Sequence, residues 1–132
     1  KDLLKQEEKE IQIPSFIFIS ELSALECIVK YLKEDLKLNF HTIAVTLNRD
    51  DRTIWTTYKN ALRKFKPRFL YKKTDFMIPV SIIRNREIGV QQNIVKYLKD
   101  ESGFTYHEIA QMLKRNDRTI WTAYNRIKEK KR

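Results

Sequence analysis

A chain of 132 residues with 27 Lys and Arg, 17 Asp and Glu and a formal net charge of +10 favours polyanionic partners. One cysteine leaves no disulfide framework or thiolate metal cluster, two glycines leave no phosphate-cradling loop, and no apolar run reaches membrane-spanning length. With no signal-like start and no Ser, Cys or His arrangement suited to nucleophilic catalysis, the expectation is a non-enzymatic, cofactor-free, cytoplasmic or nucleoid-associated protein, and the opening at Lys1 suggests a piece of a longer one.

The chain repeats itself. Ile28 to Lys33 and Ile94 to Lys99 both read IVKYLK, and DRTIWTxY at Asp51 to Tyr58 returns at Asp117 to Tyr124, each 66 residues on. Laid over one another, 28–58 and 94–124 agree at 18 of 31 positions without a gap, more than shared composition produces. Ile13-Pro14 also matches Ile78-Pro79 once one residue is inserted. The organisation this predicts is a charged tail over 1–12, a first unit over 13–65, a basic linker over 66–77 and a second unit over 78–132. The basic excess is uneven, net +1 over 1–65 and +9 over 66–132.

In chain order, Ser15 to Ile19 and the weaker Ser81 to Arg84 read as apolar lead-ins that cover a first helix, the former with the composition of a short extended segment. Ser20 or Ser23 can cap that helix, with Glu26 completing a capping box to Ser23. Leu22, Leu25, Ile28, Val29 and Leu32 then recur at helical spacing, as do Ile94, Val95 and Leu98 in a counterpart over 88–100 that Ser102-Gly103 ends. Asn39 and Thr105 cap a short second helix in each unit, Thr105 with Glu108 in a capping box. Its apolar side is Ile43, Ala44 and Leu47, or Ile109, Ala110 and Leu113. Asn48-Arg49-Asp50 and Lys114-Arg115-Asn116 make polar corners. Asp50 and Asn116 cap the third helix, with Asp51 and Asp117 competing. Ile54, Tyr58, Ala61 and Leu62, matched by Ile120, Tyr124 and Ile127, form its inward stripe, and Lys66-Pro67-Arg68 breaks the first copy.

A helix, a short helix of pattern I-A-x-x-L, a three-residue corner and a helix opening T-I-W resemble the helix-turn-helix superfamily, closest to the trihelical unit of sigma-factor region 4 and small transcriptional regulators. The resemblance covers about 22–65 and 88–128. It implies an all-α fold of two tandem trihelical helix-turn-helix units related by internal duplication. It also implies that Ala44 and Ala110 let the second helix approach the third, which Ile54 and Ile120 anchor. The usual corner glycine is absent, and Arg49 or Arg115 takes that area.

With Ile54, Tyr58 and Leu62 inward, the 100° step turns Arg52, Thr53, Thr56, Asn60 and Arg63 outward, with Lys59 at the margin. The second copy shows Arg118, Thr119, Thr122, Arg126 and Glu129, with Asn125 at the margin. Arg can read guanine, Asn adenine, and Thr a base edge or the thymine methyl. Arg49, Arg115, His41 and His107 stand where they would meet phosphates beside the groove; for each His the alternative is an exposed helix-end residue or one bonded across to the third helix. Trp55 and Trp121 lie at the margin of the inward stripe and are expected to pack on the first helix near Tyr31 or Tyr97, with stacking on a base as the alternative. Tyr58 and Tyr124 point inward with a hydroxyl that could reach phosphate. Cys27 reads as a buried, inert thiol.

The function this predicts is sequence-specific binding of double-stranded DNA by both units, in transcription regulation or another site-recognition role. The alternatives are a protein-interaction adaptor that docks a transcription or nucleoprotein partner, or one DNA-binding unit beside one protein-docking unit.

Overall fold

The structure, a computed structural model, describes residues 10–73 and 76–130, the side chains of 128–130 excepted. Among them the elements run β1 (Gln12–Pro14), a 3-10 turn (Ser15–Ile17), α1 (Ala24–Glu34), α2 (Phe40–Leu47) and α3 (Asp51–Lys64). They continue with β2 (Met77–Pro79), a 3-10 turn (Val80–Arg84), α4 (Val90–Lys96, prolonged by a π turn over Tyr97–Glu101), α5 (Tyr106–Leu113) and α6 (Asp117–Lys130). The protein is mostly helical, and no described helix is long and apolar enough to cross a membrane. The bounds of the second and third helices recur 66 residues on.

Local chemistry starts each helix. Ser23 Oγ accepts from Glu26 N while Glu26 Oε1 accepts from Ser23 N, the reciprocal box that opens α1; Ser20 plays no part. Asn39 caps α2, Thr105 with Glu108 boxes α5, and Asp50 caps α3 ahead of its competitor Asp51. Asn116 accepts from Thr119 N at 2.8 Å in the same way. The stops are matched as well. Lys37 (φ 59°) and Gly103 (φ 76°) take the left-handed conformation after α1 and α4, letting Leu38 N and Phe104 N reach back to Leu32 O and Leu98 O. Asn48 and Lys114 (both φ 59°) do so after α2 and α5, so the left-handed residue of each corner precedes the arginine.

The sheet departs from an all-α expectation. β1 and β2 pair antiparallel in the register Gln12↔Pro79, Ile13↔Ile78, Pro14↔Met77, which takes Gln12 from the expected tail and Met77 from the expected linker. Both isoleucines are buried, and the residue after each proline donates across: Ser15 N to Phe76 O at 3.2 Å, Val80 N to Ile11 O at 2.9 Å. The two Ile-Pro segments therefore meet each other, and the stretch after them turns 3-10 rather than staying extended. The turn over Ser15–Ile17 packs on α1 and α5, the turn over Val80–Arg84 on α4 and α2, and α1 touches α4. These contacts are reciprocal, each turn meeting the first helix of its own half and a helix of the other.

One hydrophobic core runs through both halves. Ile28, Leu32, Ile43, Leu47 and Ile54 are buried in it, as are Ile94, Leu98, Ile109 and Ile120. Each such side chain contributes about 1.5–3 kcal/mol by leaving water. Ala44 and Ala110 are sealed between helices and leave room for the α2–α3 and α5–α6 contacts. Glu26 is the buried carboxylate of the α1 box. Burial alone would raise its pKa, but the Ser23 amide and the Lys64 ammonium at 2.9 Å outweigh that and lower it.

Candidate nucleic-acid interface

The inward stripe of α3 and α6 holds Ile54 and Ile120 fully buried, which fixes what the other side shows. Arg52, Thr53, Thr56, Lys59 and Arg63 are exposed, and Asn60 is half-buried. On α6, Arg118 and Arg126 are exposed, with Thr119, Thr122 and Asn125 half-buried; Glu129 lies outside the described side chains. Both asparagines are already engaged: Asn60 Oδ1 accepts from Arg63 Nη2 at 2.6 Å, and Asn125 Nδ2 donates to Trp121 O at 2.8 Å. Arg118, Thr119, Thr122 and Arg126 line a shallow groove against Gln91 and Gln92 at the start of α4.

The histidines are bonded across to the third helix. His41 Nδ1 stands 3.1 Å from the Asp51 carboxylate and His107 Nδ1 3.0 Å from that of Asp117, all four side chains exposed. With Nδ1–H turned to the carboxylate, Nε2 faces away and becomes a donor only in the imidazolium form.

Three expectations are corrected. Trp55 and Trp121 are not packed on the first helix; they are 50 % and 53 % exposed. The rings that fill that side of the bundle are Phe40 on Tyr58 (5.7 Å) and Tyr106 on Tyr124 (5.9 Å), which leaves each indole in the open beside Arg52 or Arg118. The tryptophans therefore join the polar face, where Lys59 Nζ sits 5.5 Å from the Trp55 ring. A position 100° from Ile54 on the helix is ambiguous by spacing, and only the neighbouring Phe40 and Tyr106 hint at the outcome.

Tyr58 and Tyr124 do not offer hydroxyls to phosphate. They donate to Glu34 Oε2 at 2.8 Å and Asp100 Oδ1 at 2.6 Å, a matched pair of bonds between the third and first helices of each half.

The corner arginines differ most. Arg115 Nη1 donates to Ile19 O at 3.2 Å and Leu113 O at 3.0 Å, Nη2 to Leu22 O at 2.9 Å, and Nε to Gln91 Oε1 at 3.0 Å. Arg49 Nη1 donates to Leu47 O at 2.7 Å and to Ile83 O at 3.0 Å. The Arg115 guanidinium thus reaches two main-chain carbonyls of the opposite half and the Arg49 guanidinium one, where phosphate contacts were expected. Arg84 adds a one-sided clasp to Val45 O and Thr46 O at the end of α2, where the helix dipole favours a cation. Sequence periodicity carries no signal for partners as distant as these.

Compared with protein-family models, curated proteins and solved structures, the chain has no match.

Proposed function

We propose that the two halves are copies of one trihelical helix-turn-helix unit and that the protein binds double-stranded DNA through α3 and α6 together, in transcription regulation or another site-recognition role. The observation that carries this is the matched display of Arg52, Thr53 and Thr56 and of Arg118, Thr119 and Thr122, each set opposite a buried isoleucine. Arginine and threonine are base-edge readers, and a chain of net charge +10 gains counterion-release affinity. Lys59, Arg63, Asn60, Asn125 and Arg126 extend the two faces, and the imidazolium forms of His41 and His107 would donate to phosphate beside them. Arg49 and Arg115 support this surface by holding the halves together rather than by touching DNA.

The reciprocal contacts about the β1–β2 pair support an inverted repeat as the target. Halves paired by a twofold axis would turn both reading faces to one side, as in a symmetric dimer on a palindromic site. Replacing Arg52 and Arg118 singly by alanine tests the reading by fluorescence anisotropy on duplex DNA. Each change is expected to cost about 1–3 kcal/mol, roughly five- to 150-fold in affinity. A loss from Arg118→Ala alone would leave one reader and one protein-docking unit, and a loss from neither would favour the adaptor.

A further inference from the structure

Trp55 and Trp121 are the only tryptophans of the chain, 66 residues apart, and both stand half out of the fold. Phe40 on Tyr58 and Tyr106 on Tyr124 already fill that side of each bundle, so the outer part of each indole is surplus to the packing. A single exposed ring means little. Two at matched places on the two reading helices, each in the same company, mark a surface.

That company is built alike in both halves. Trp55 shares a notch of about 590 Å³ with Phe40, Asp51, Arg52 and Thr56, and Trp121 one of about 520 Å³ with Tyr106, Asp117 and Arg118. Cations ride on the rings: Lys33 Nζ lies 4.4 Å from the Phe40 ring, Lys59 Nζ 5.5 Å from that of Trp55 and Lys99 Nζ 4.7 Å from that of Tyr106. The carboxylate lining each notch is taken up by His41 or His107. An apolar floor inside a positive rim suits a ligand that is apolar at one point and anionic around it.

We propose, resting on the DNA-binding reading above, that Trp55 and Trp121 each read the 5-methyl group of a pyrimidine in the major groove. That methyl is the apolar group a duplex presents there, on thymine or on 5-methylcytosine. Arg52 and Trp55, three residues apart, are surface neighbours separated by about 4.5 Å along the helix, against about 3.4 Å between base pairs. The guanine met by Arg52 and the methyl group met by Trp55 therefore lie on adjacent base pairs, and Arg118 with Trp121 repeats the step in the other half-site. Asp-Arg-Thr-Ile-Trp-Thr is identical in the two helices, while Lys59 and Asn60 give way to Asn125 and Arg126. The half-sites share this step and differ beyond it.

The test uses the full chain and the duplex most enriched from a random pool. Each thymine is replaced singly by deoxyuridine, each cytosine is methylated at carbon 5, and affinity is read by anisotropy. Loss of the methyl group at one position in each half-site should weaken binding about fourfold, the worth of one apolar carbon leaving water. Trp55→Ala should erase that difference in one half-site and Trp121→Ala in the other, with unchanged helical circular dichroism. Trp55→Gln and Trp121→Gln should do the same with side-chain bulk kept. A loss on deoxyuridine identifies thymine as the source, and a gain on methylation identifies 5-methylcytosine. Tight binding that is indifferent to every such methyl group, or a methyl preference that persists in the alanine and glutamine variants, would overturn the proposal and leave the DNA-binding reading standing. Tighter binding when the opposite base is removed would also overturn it, since that marks a base turned out of the stack onto the indole. No binding to any duplex would remove the DNA-binding reading itself, and this inference with it.

Discussion

Arg115→Ala separates a clasp from a phosphate contact. The side chain makes two bonds across to the first half, to Ile19 O and Leu22 O, and three within its own half, to Leu113 O, Lys114 O and Gln91. Hydrogen bonds from a charged donor are worth about 1.5–3 kcal/mol each. Ile19 O keeps a second donor in Leu22 N, so the lower figure applies, and two cross-half bonds give a loss of about 3 kcal/mol. That is a large share of the roughly 5–15 kcal/mol that holds such a chain folded. The assay is urea denaturation followed by helical circular dichroism, with a fall in melting temperature of about 10 °C alongside. Arg115→Lys should recover little, because one ammonium cannot span Ile19 O, Leu22 O and Gln91 together. Unchanged stability, combined with a drop of about one in the salt slope of DNA binding, would refute the clasp and restore the phosphate role.

Further outcomes follow from the same contacts. Lys37→Gly and Lys114→Gly relieve left-handed backbone at φ 59° and should each stabilise the protein by about 0.5–1 kcal/mol in urea, after allowance for the freer unfolded chain; a loss of stability would contradict the strain. Cys27 is fully buried and its thiol is pushed up to about 11 chiefly by burial, so iodoacetamide should label it only as urea opens the fold. Prompt labelling in buffer would show that the thiol is reachable. Tyr58 is raised to about 12 by burial and then by its bond to Glu34, and Tyr124 to about 12 by its bond to Asp100 and then by burial. Folded tyrosines then hold their protons above the ordinary value of 10.0, so this stabilisation is complete below pH 10 and fades as pH rises towards 12. Denaturation at about pH 9 and pH 11 should show that decline, and Tyr58→Phe with Tyr124→Phe should remove most of it, Tyr31 keeping a remainder because burial and then Asp35 also raise its hydroxyl.

What sequence reading captures here is local. Ser23 with Glu26, Thr105 with Glu108, and the caps Asn39, Asp50 and Asn116 each bond within three residues, so spacing alone exposes them. The outward turn of Arg52, Thr56 and Arg118 follows from Ile54 and Ile120 through the helical step. Contacts between the halves leave no such trace. Arg115 meets Ile19 across 96 positions, and the strands at Gln12–Pro14 and Met77–Pro79 are three residues each, too short for an alternating pattern to register. Trp55 and Trp121 failed the inward expectation because a margin position is decided by competition, here won by Phe40 and Tyr106.

Selection of preferred sites from random duplexes by the full chain tests two linked readers most directly. Enrichment of an inverted repeat with half-site centres about 34 Å apart, roughly ten base pairs, is the expected result. Recovery of a lone half-site, or no enrichment of any duplex, would contradict it.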